Sequence, residues 1–331
     1  MAFLVIHVGA GHHSFNSRDE YKRLIRSALR TGSLLESSGI IEQSHLTNTG
    51  YGSALDRYGN ASCDCTIASS TEAGTDVLSL LGIDDKTSPT TECIHIKNKL
   101  DEEFNDSKSL GLSKPASLQY YHVKKSHGTD ESSELASPAA KRLYSKYKDF
   151  PEPPQQPVQD TVGVINFDNE LTLSTSSGGT FLKFPGRVSC AGIYGSGSAI
   201  AETEGTRITC LCSGNGDDII RMRLAGHIAD ILLRSAKDDD WPDFPAIMVS
   251  NTINQSKTVT LSARDNNHNP IVYVGVIAVI QHEGRTTLAY CHSTESFYFG
   301  FVNSNGEKEV VLSSQSDEAK IGHFVSGQYK L

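Results

Sequence analysis

Apolar positions along this chain follow two different periods. Between residues 18 and 30, Tyr21, Leu24, Ile25, Ala28 and Leu29 recur at i, i+3, i+4, i+7 and i+8, the stripe of an amphipathic helix. Between 217 and 236, Ile220, Leu224, Ile228, Ile231 and Leu232 repeat that stripe, and Asp217 and Asp218 open it, where a helix dipole favours carboxylates. Apolar and β-branched runs predict strands at 2–8, 162–167, 171–176, 207–212, 271–280 and 286–291. Helices and strands on both sides of a weak middle predict an α+β fold. That middle, residues 105–159, is rich in Ser, Lys, Glu and Pro and poor in large aliphatics, so it reads as a flexible polar linker. It ends in a Pro-rich stretch, 150–160, that cannot join a helix or a central strand. The expected division is an N-terminal part at 1–104, the linker at 105–159 and a C-terminal part at 160–331.

Bulk properties narrow the function classes. At 331 residues, the chain is long enough for one large or two ordinary domains. A net charge of -9 argues against broad nucleic-acid binding. No window reaches the apolar length of a membrane-crossing helix, and residues 2–8 are too short and lack a basic lead-in for a signal peptide. Seven cysteines, an odd number, then point to reduced thiols and a cytoplasmic protein. Lys124-Lys125 and Lys141-Arg142 would contribute to a nuclear address, although an ordinary solvated linker carries such sparse pairs too. Two Cys-x-Cys pairs, Cys63/Cys65 and Cys210/Cys212, sit in apolar strand-like segments. Free cysteine acts there as a small hydrophobe, so no metal site is expected.

The chemistry-bearing feature is the junction Asp160-Thr161-Val162-Gly163, where the tether meets a strand. If the bond before Thr161 breaks, one residue carries both a hydroxyl nucleophile and an α-amino base, a recognised way to activate a weak alcohol. Beyond it follow a turn at Asp168-Asn169-Glu170, a second strand, Ser177-Gly178-Gly179, Lys183-Phe184-Pro185-Gly186-Arg187-Val188, Ile193-Tyr194-Gly195-Ser196-Gly197 and Ser213-Gly214-Asn215-Gly216. Upstream lie His7-Val8-Gly9-Ala10-Gly11, His13-Ser14, Glu20-Tyr21-Lys22, Thr47-Asn48-Thr49-Gly50-Tyr51-Gly52-Ser53 and Cys65-Thr66-Ile67. Downstream lies His292-Ser293-Thr294-Glu295-Ser296. In this order the motifs resemble the plant-type asparaginase family of N-terminal-nucleophile hydrolases, and most closely its threonine aspartase (taspase) branch.

The resemblance implies a four-layer αββα sandwich in which both parts form one domain, self-association as dimers of αβ units, and no cofactor. It assigns Thr161 as nucleophile, Ser177 as a supporting hydroxyl, and Ser213 and Gly214 as the oxyanion-hole segment. Arg187 falls to the grip on a substrate carboxylate, for which a planar bidentate fork is suited, and Gly216 joins it in substrate binding. Two departures separate an endopeptidase from an asparaginase. Asparaginases have Gly before the nucleophile, whereas this chain has Asp160, so the site that cuts itself accepts aspartate. Where they have an Asp that binds a free α-amino group, this chain has Ser189-Cys190. The reading is therefore an autoprocessing threonine endopeptidase that cleaves its own Asp160-Thr161 bond and then protein substrates after aspartate. An asparaginase or isoaspartyl peptidase, and a non-catalytic binding partner, are the alternatives. The stretch between the first helix and Asn48 is shorter than the family's by roughly one helix, and the segment Asp64–Ser70 lacks the family's second Asp and Gly.

Overall fold

The alternation along the strands resolves into two sheets in the computed structural model, which describes residues 2–72, 74–107, 113–129, 133–149, 161–237, 245–256, 259, 261–265, 267–316 and 321–331. The first half contributes β1 (Phe3–Gly11), β2 (Cys63–Thr71), β3 (Gly74–Ile83) and β4 (Ser117–Gln119). The second contributes β5 (Val162–Asp168), β6 (Glu170–Ser177), β7 (Ser198–Thr203), β8 (Thr206–Gly214), β9 (Val274–His282), β10 (Arg285–His292), β11 (Ser296–Val302), β12 (Lys308–Ser314) and β13 (Val325–Lys330). One sheet runs β12-β11-β1-β5-β6-β2-β3-β4 and the other β13-β10-β9-β8-β7. Both halves of the chain therefore share the larger sheet, where β1 pairs with β5 and β2 with β6.

Side-chain alternation explains the packing. In β1, Phe3 and Val5 join Ile165, Leu173, Leu211, Ile277 and Val279 in an apolar cluster drawn from both sheets. Leu4, Ile6 and Val8 point the other way, with Val162 and Val164, onto Tyr21, Ile25 and Leu29 of α1 (Arg18–Ala28) and Ile41 of α2 (Leu34–Glu42). Because both faces are covered, every residue of β1 is buried, which is why it reads as a continuous apolar run. Further along this face, β2 and β3 pack on Cys93 and Ile96 of α3 (Pro89–Ser107). Against the smaller sheet lie α6 (Gly216–Met222), α7 (Leu224–Lys237) and α8 (Pro245–Gln255), through Ile219, Ile228, Leu232, Val249 and Ile253.

Two expectations meet a different arrangement. The helix read over 217–236 is two helices, because Arg223 adopts a left-handed conformation (φ 49°) between α6 and α7. The α2 helix occupies the shortened stretch before Asn48. The polar linker of 105–159 carries, in its described residues, β4, α4 (Tyr120–His127) and α5 (Pro138–Tyr147). A few anchors suffice for this: Tyr120 and Leu135 are buried against β3 and α3, and the Tyr120 hydroxyl donates to Asp85 and Glu92 at 2.8 and 3.0 Å. The Pro-rich end, and Asp160 with it, lies outside the described residues. No helix among the described residues is long and apolar enough to cross a membrane.

Ile277 sits fully buried between the sheets. Replacing it with Ala should cost about 2–5 kcal/mol in urea unfolding; a loss under about 1 kcal/mol would mean that the two sheets are not packed as described.

Candidate active site

The positions singled out around the junction converge where the two sheets meet. Thr161 immediately precedes β5, and Ile165, four residues on, faces the opposing sheet. A period of two then aims Thr161 the same way. It is 3% exposed. Its main-chain N–H donates to the Ser213 hydroxyl at the end of β8 (3.2 Å), and that hydroxyl also accepts the Ala10 N–H from the irregular end of β1 (2.9 Å). In the uncut chain this Thr161 nitrogen is an amide; it stands where the amine of a new N-terminus would lie. Thr161 Oγ1 lies 3.6 Å from Cys190 Sγ. Burial pushes the Cys190 thiol above its ordinary value, against the opposing pull of Thr161 and Arg187, so the nucleophile candidate faces a neutral thiol.

The β5–β6 hairpin places Ser177. Asn169 turns it in the left-handed region (φ 68°), which Asn tolerates. Val162 pairs with Ser176 at the end of the ladder, so Thr161 and Ser177 are the next residues beyond that pair, and both line the same cleft. Thr161, Ser177, Arg187, Cys190, Gly214 and Gly216 line one cleft of about 200 Å³. The Ser177 hydroxyl accepts the Gly179 N–H at 3.0 Å. Wider grooves, of ≈ 810 and ≈ 920 Å³, lie elsewhere and include none of Thr161, Ser177, Arg187 or Ser213.

Arg187 is seated between glycines. A Cβ on Gly179 (φ 72°) would stand 2.5 Å from Arg187 Nη1, and one on Gly216 would stand 3.1 Å from Nη2. Each absent side chain is space the guanidinium occupies. Nη2 donates to Asp217 Oδ2 at 3.0 Å, and Asp217 is 47% exposed at its side chain. Arg187 Nε is buried with no hydrogen-bond partner among the described residues. Gly214 (φ 118°) is required for a different reason: a Cβ there would stand 2.4 Å from the Tyr273 carbonyl.

Of the sequence-predicted site residues, Thr161, Ser177, Arg187, Gly214 and Gly216 line one cleft, Ser213 reaches it through the Thr161 N–H, and Asp160 lies outside the described residues. Sequence reasoning missed three participants. Asp217 was read only as a helix opener. Cys190 was noticed for the carboxylate it lacks, not for its contact with Thr161. The third is Glu42, fully buried at the end of α2. It accepts from Thr90 N (3.2 Å), Thr90 Oγ1 (2.6 Å) and Ser176 Oγ (2.7 Å), next door to Ser177. Among the described residues, no group of three or more His, Cys, Asp or Glu side chains is placed to hold a metal ion.

Comparison with known proteins gives one consistent grouping. The sequence signature described as Asparaginase matches residues 2–238. A plant-type L-asparaginase of Pyrococcus horikoshii is 26% identical over 257 residues, covering 70% of this chain and 80% of that protein. Plant-type L-asparaginases of Thermococcus kodakarensis and Pyrococcus furiosus are 37% and 36% identical over 93 residues, 28% of each chain.

Glu42 generates a pH prediction. Burial pushes its carboxyl up from 4.5 to about 7, against the hydrogen bonds from Thr90 and Ser176. The folded state then holds the proton more tightly than the unfolded one. The resulting stability is present below about 4.5 and is lost as pH rises to about 7, some 3 kcal/mol in all. Buried His7, His13 and His292, lowered to about 3, 3 and 4, act oppositely and cost stability as pH falls below 6.5. Their contribution cancels when wild type and Glu42→Gln are compared. Urea titrations of both should therefore show the variant gaining about 3 kcal/mol on wild type between pH 4 and pH 8; a pH-independent difference would refute the raised carboxyl.

Proposed function

The chain belongs to the Asparaginase family of N-terminal-nucleophile hydrolases, and from that premise we propose that it is an autoprocessing threonine endopeptidase. It cleaves its own Asp160-Thr161 bond and then protein substrates after aspartate. The observation that carries this reading is the position of Thr161. The residue that cleavage would make an N-terminus already holds its nitrogen on the Ser213 hydroxyl and its own hydroxyl at the cleft. The four-layer αββα arrangement belongs to the same reading. It is supported by one apolar cluster between the sheets and separate clusters joining each sheet to its helices. Pairing into dimers of αβ units is part of the proposal as well.

In the first step, Thr161 Oγ1 attacks the Asp160 carbonyl carbon. A C–O bond forms, the C–N bond breaks, and the hydroxyl proton passes to the departing nitrogen. Water then opens the ester, releasing the Asp160 carboxyl and a free Thr161 hydroxyl. In later turnovers the Thr161 amine, held by Ser213, takes the hydroxyl proton as general base. Developing negative charge on the carbonyl oxygen falls to the Ser213-Gly214 segment. Arg187 pairs with the aspartate side chain before the scissile bond. A neutral Cys190 offers no anion to a free α-ammonium group, which favours a peptide over a free amino acid. An asparaginase is the second reading, favoured by the curated relatives that bear that name.

Two predictions follow from these roles. Purified wild-type chain kept at neutral pH should yield two fragments of comparable length on denaturing electrophoresis, the second beginning at Thr161, while Thr161→Ala stays whole. An intact wild-type chain, or ready release of ammonia from asparagine, would sink the endopeptidase assignment. Asp217, half-exposed, places a second anion on the Arg187 guanidinium that the substrate carboxylate would share. Asp217→Asn should therefore lower KM for aspartate-containing peptides about two- to fivefold at low salt; an unchanged or raised KM would show that this anion does not oppose the substrate.

A further inference from the structure

Two buried charges lie beneath the cleft, and neither takes part in the chemistry above. Lys183 is 5% exposed, and its Nζ donates to the main-chain carbonyls of Ser62 and Gly178, each at 2.6 Å. Asp64, equally buried, accepts the Gly82 N–H on Oδ1 (2.9 Å) and the Ser189 N–H on Oδ2 (2.6 Å). Asp64 also stands opposite Ser177 in the β2–β6 ladder, and Ser62 precedes it by two residues. One short stretch, Ser62–Asp64, is thus tied to both walls of the cleft. It meets Ser177 through the ladder and Gly178 through the Lys183 ammonium, and it reaches Ser189 through its own carboxylate.

These ties bear on the seat of Arg187. The Gly178 carbonyl belongs to the peptide that leads into Gly179, whose α-carbon borders the guanidinium so closely that a Cβ would stand 2.5 Å from Nη1. Turning that peptide would move Gly179 against Arg187 and carry Ser177 Oγ away from the Gly179 N–H it accepts. A methionine would fill the space of Lys183, but only a donor satisfies two carbonyls that converge away from water. Burial pulls the Lys183 ammonium below its ordinary value, while Asp64 acts to restore it and Arg187 acts against it.

We infer that Lys183 and Asp64 are positioning residues that hold the Ser177–Gly179 wall and the Ser189–Cys190 wall at the separation the reaction needs. The inference rests on the proposed reading of the cleft as an active site. The experiment is the first-order self-cleavage rate of Lys183→Ala, measured alone, with n-propylammonium and with n-propanol as its neutral counterpart. Amide hydrogen exchange of the peptides containing Gly179 and Ser189 is followed in parallel. Cleavage should slow about 10- to 100-fold, the cost of a small misplacement, and propylammonium but not propanol should restore part of it. The two amides should exchange faster while the chain still melts cooperatively. A wild-type rate, or equal rescue by the alcohol, would overturn the inference. If Lys183→Ala does not fold, Lys183→Met, which keeps the stem, takes its place; wild-type cleavage and exchange there would overturn it as well. Should the wild-type chain itself fail to cleave, the proposed function falls. The exchange measurement still decides the clamp, since unchanged protection in the variant would refute it.

Discussion

One hydroxyl joins the three strands on which the candidate site depends. Ser213 Oγ accepts an N–H from Ala10 on β1 and another from Thr161 at the start of β5, while itself belonging to β8 of the opposing sheet. For this to happen, the sheets must come closer than their usual spacing of about 10 Å permits for large side chains. The sequence provides for that with small residues. A Cβ on Gly275 would stand 2.4 Å from the Ala10 Cβ, and one on Gly163 would stand 2.9 Å from Leu211 Cδ1 of β8. Both ring nitrogens of His7 lack a hydrogen-bond partner among the described residues. That is an unusual cost for a buried imidazole, and burial holds it neutral. Close approach at this corner is what allows a nucleophile carried by one sheet to be oriented by a side chain from the other.

Electrostatics around the corner are arranged by subtraction. The thiol nearest Thr161 Oγ1 is neutral, and so is His7, and no base among the described residues hydrogen-bonds the hydroxyl. On the proposed mechanism, the base must come from Thr161 itself once its amide has become an amine. Positive charge, by contrast, is concentrated in Arg187 and Lys183. The first faces the cleft with a buried Nε unused. The second is spent on main-chain carbonyls. Two cations so close would repel, and the carboxylates of Asp217 and Asp64 stand on the respective sides to offset them.

Much of this was legible in the sequence where periodicity or turn chemistry carried the signal. The α1 stripe, the β5–β6 hairpin with its Asp-Asn-Glu turn, and the glycines around Arg187 all report local constraints. What was not legible depends on contacts distant in sequence. Lys183 meets Ser62 across 121 residues and Asp64 meets Ser189 across 125, and nothing in either segment's pattern announces a partner. The α3 helix escaped notice because its buried side is built from Cys93, Ile96 and polar residues such as Glu92 rather than a leucine stripe. The break at Arg223 was invisible because the apolar period runs on through it. The elements within 105–159 are not legible because its composition is polar overall, whereas two buried anchors, Tyr120 and Leu135, pack against β3 and α3.

The Arg187 geometry also bears on how one site would serve both cleavages of the proposed mechanism, that of its own junction and that of other chains. Thr161 is almost wholly buried and the cleft is small, a poor entrance for a peptide but no obstacle to a bond already inside the same chain. Asp217 occupies only one nitrogen of the guanidinium, and Arg187 carries five N–H donors in a rigid fork. A second carboxylate can therefore be gripped without first expelling Asp217, at the cost of placing two anions around one cation. An intramolecular aspartate, held near by the chain, meets that repulsion at high effective concentration. A free peptide meets it without that advantage. On the proposed mechanism, Asp217 would tilt the site toward its own junction first and weaken its hold on outside chains, so that selectivity between the two substrates would be set by a residue that touches neither scissile bond.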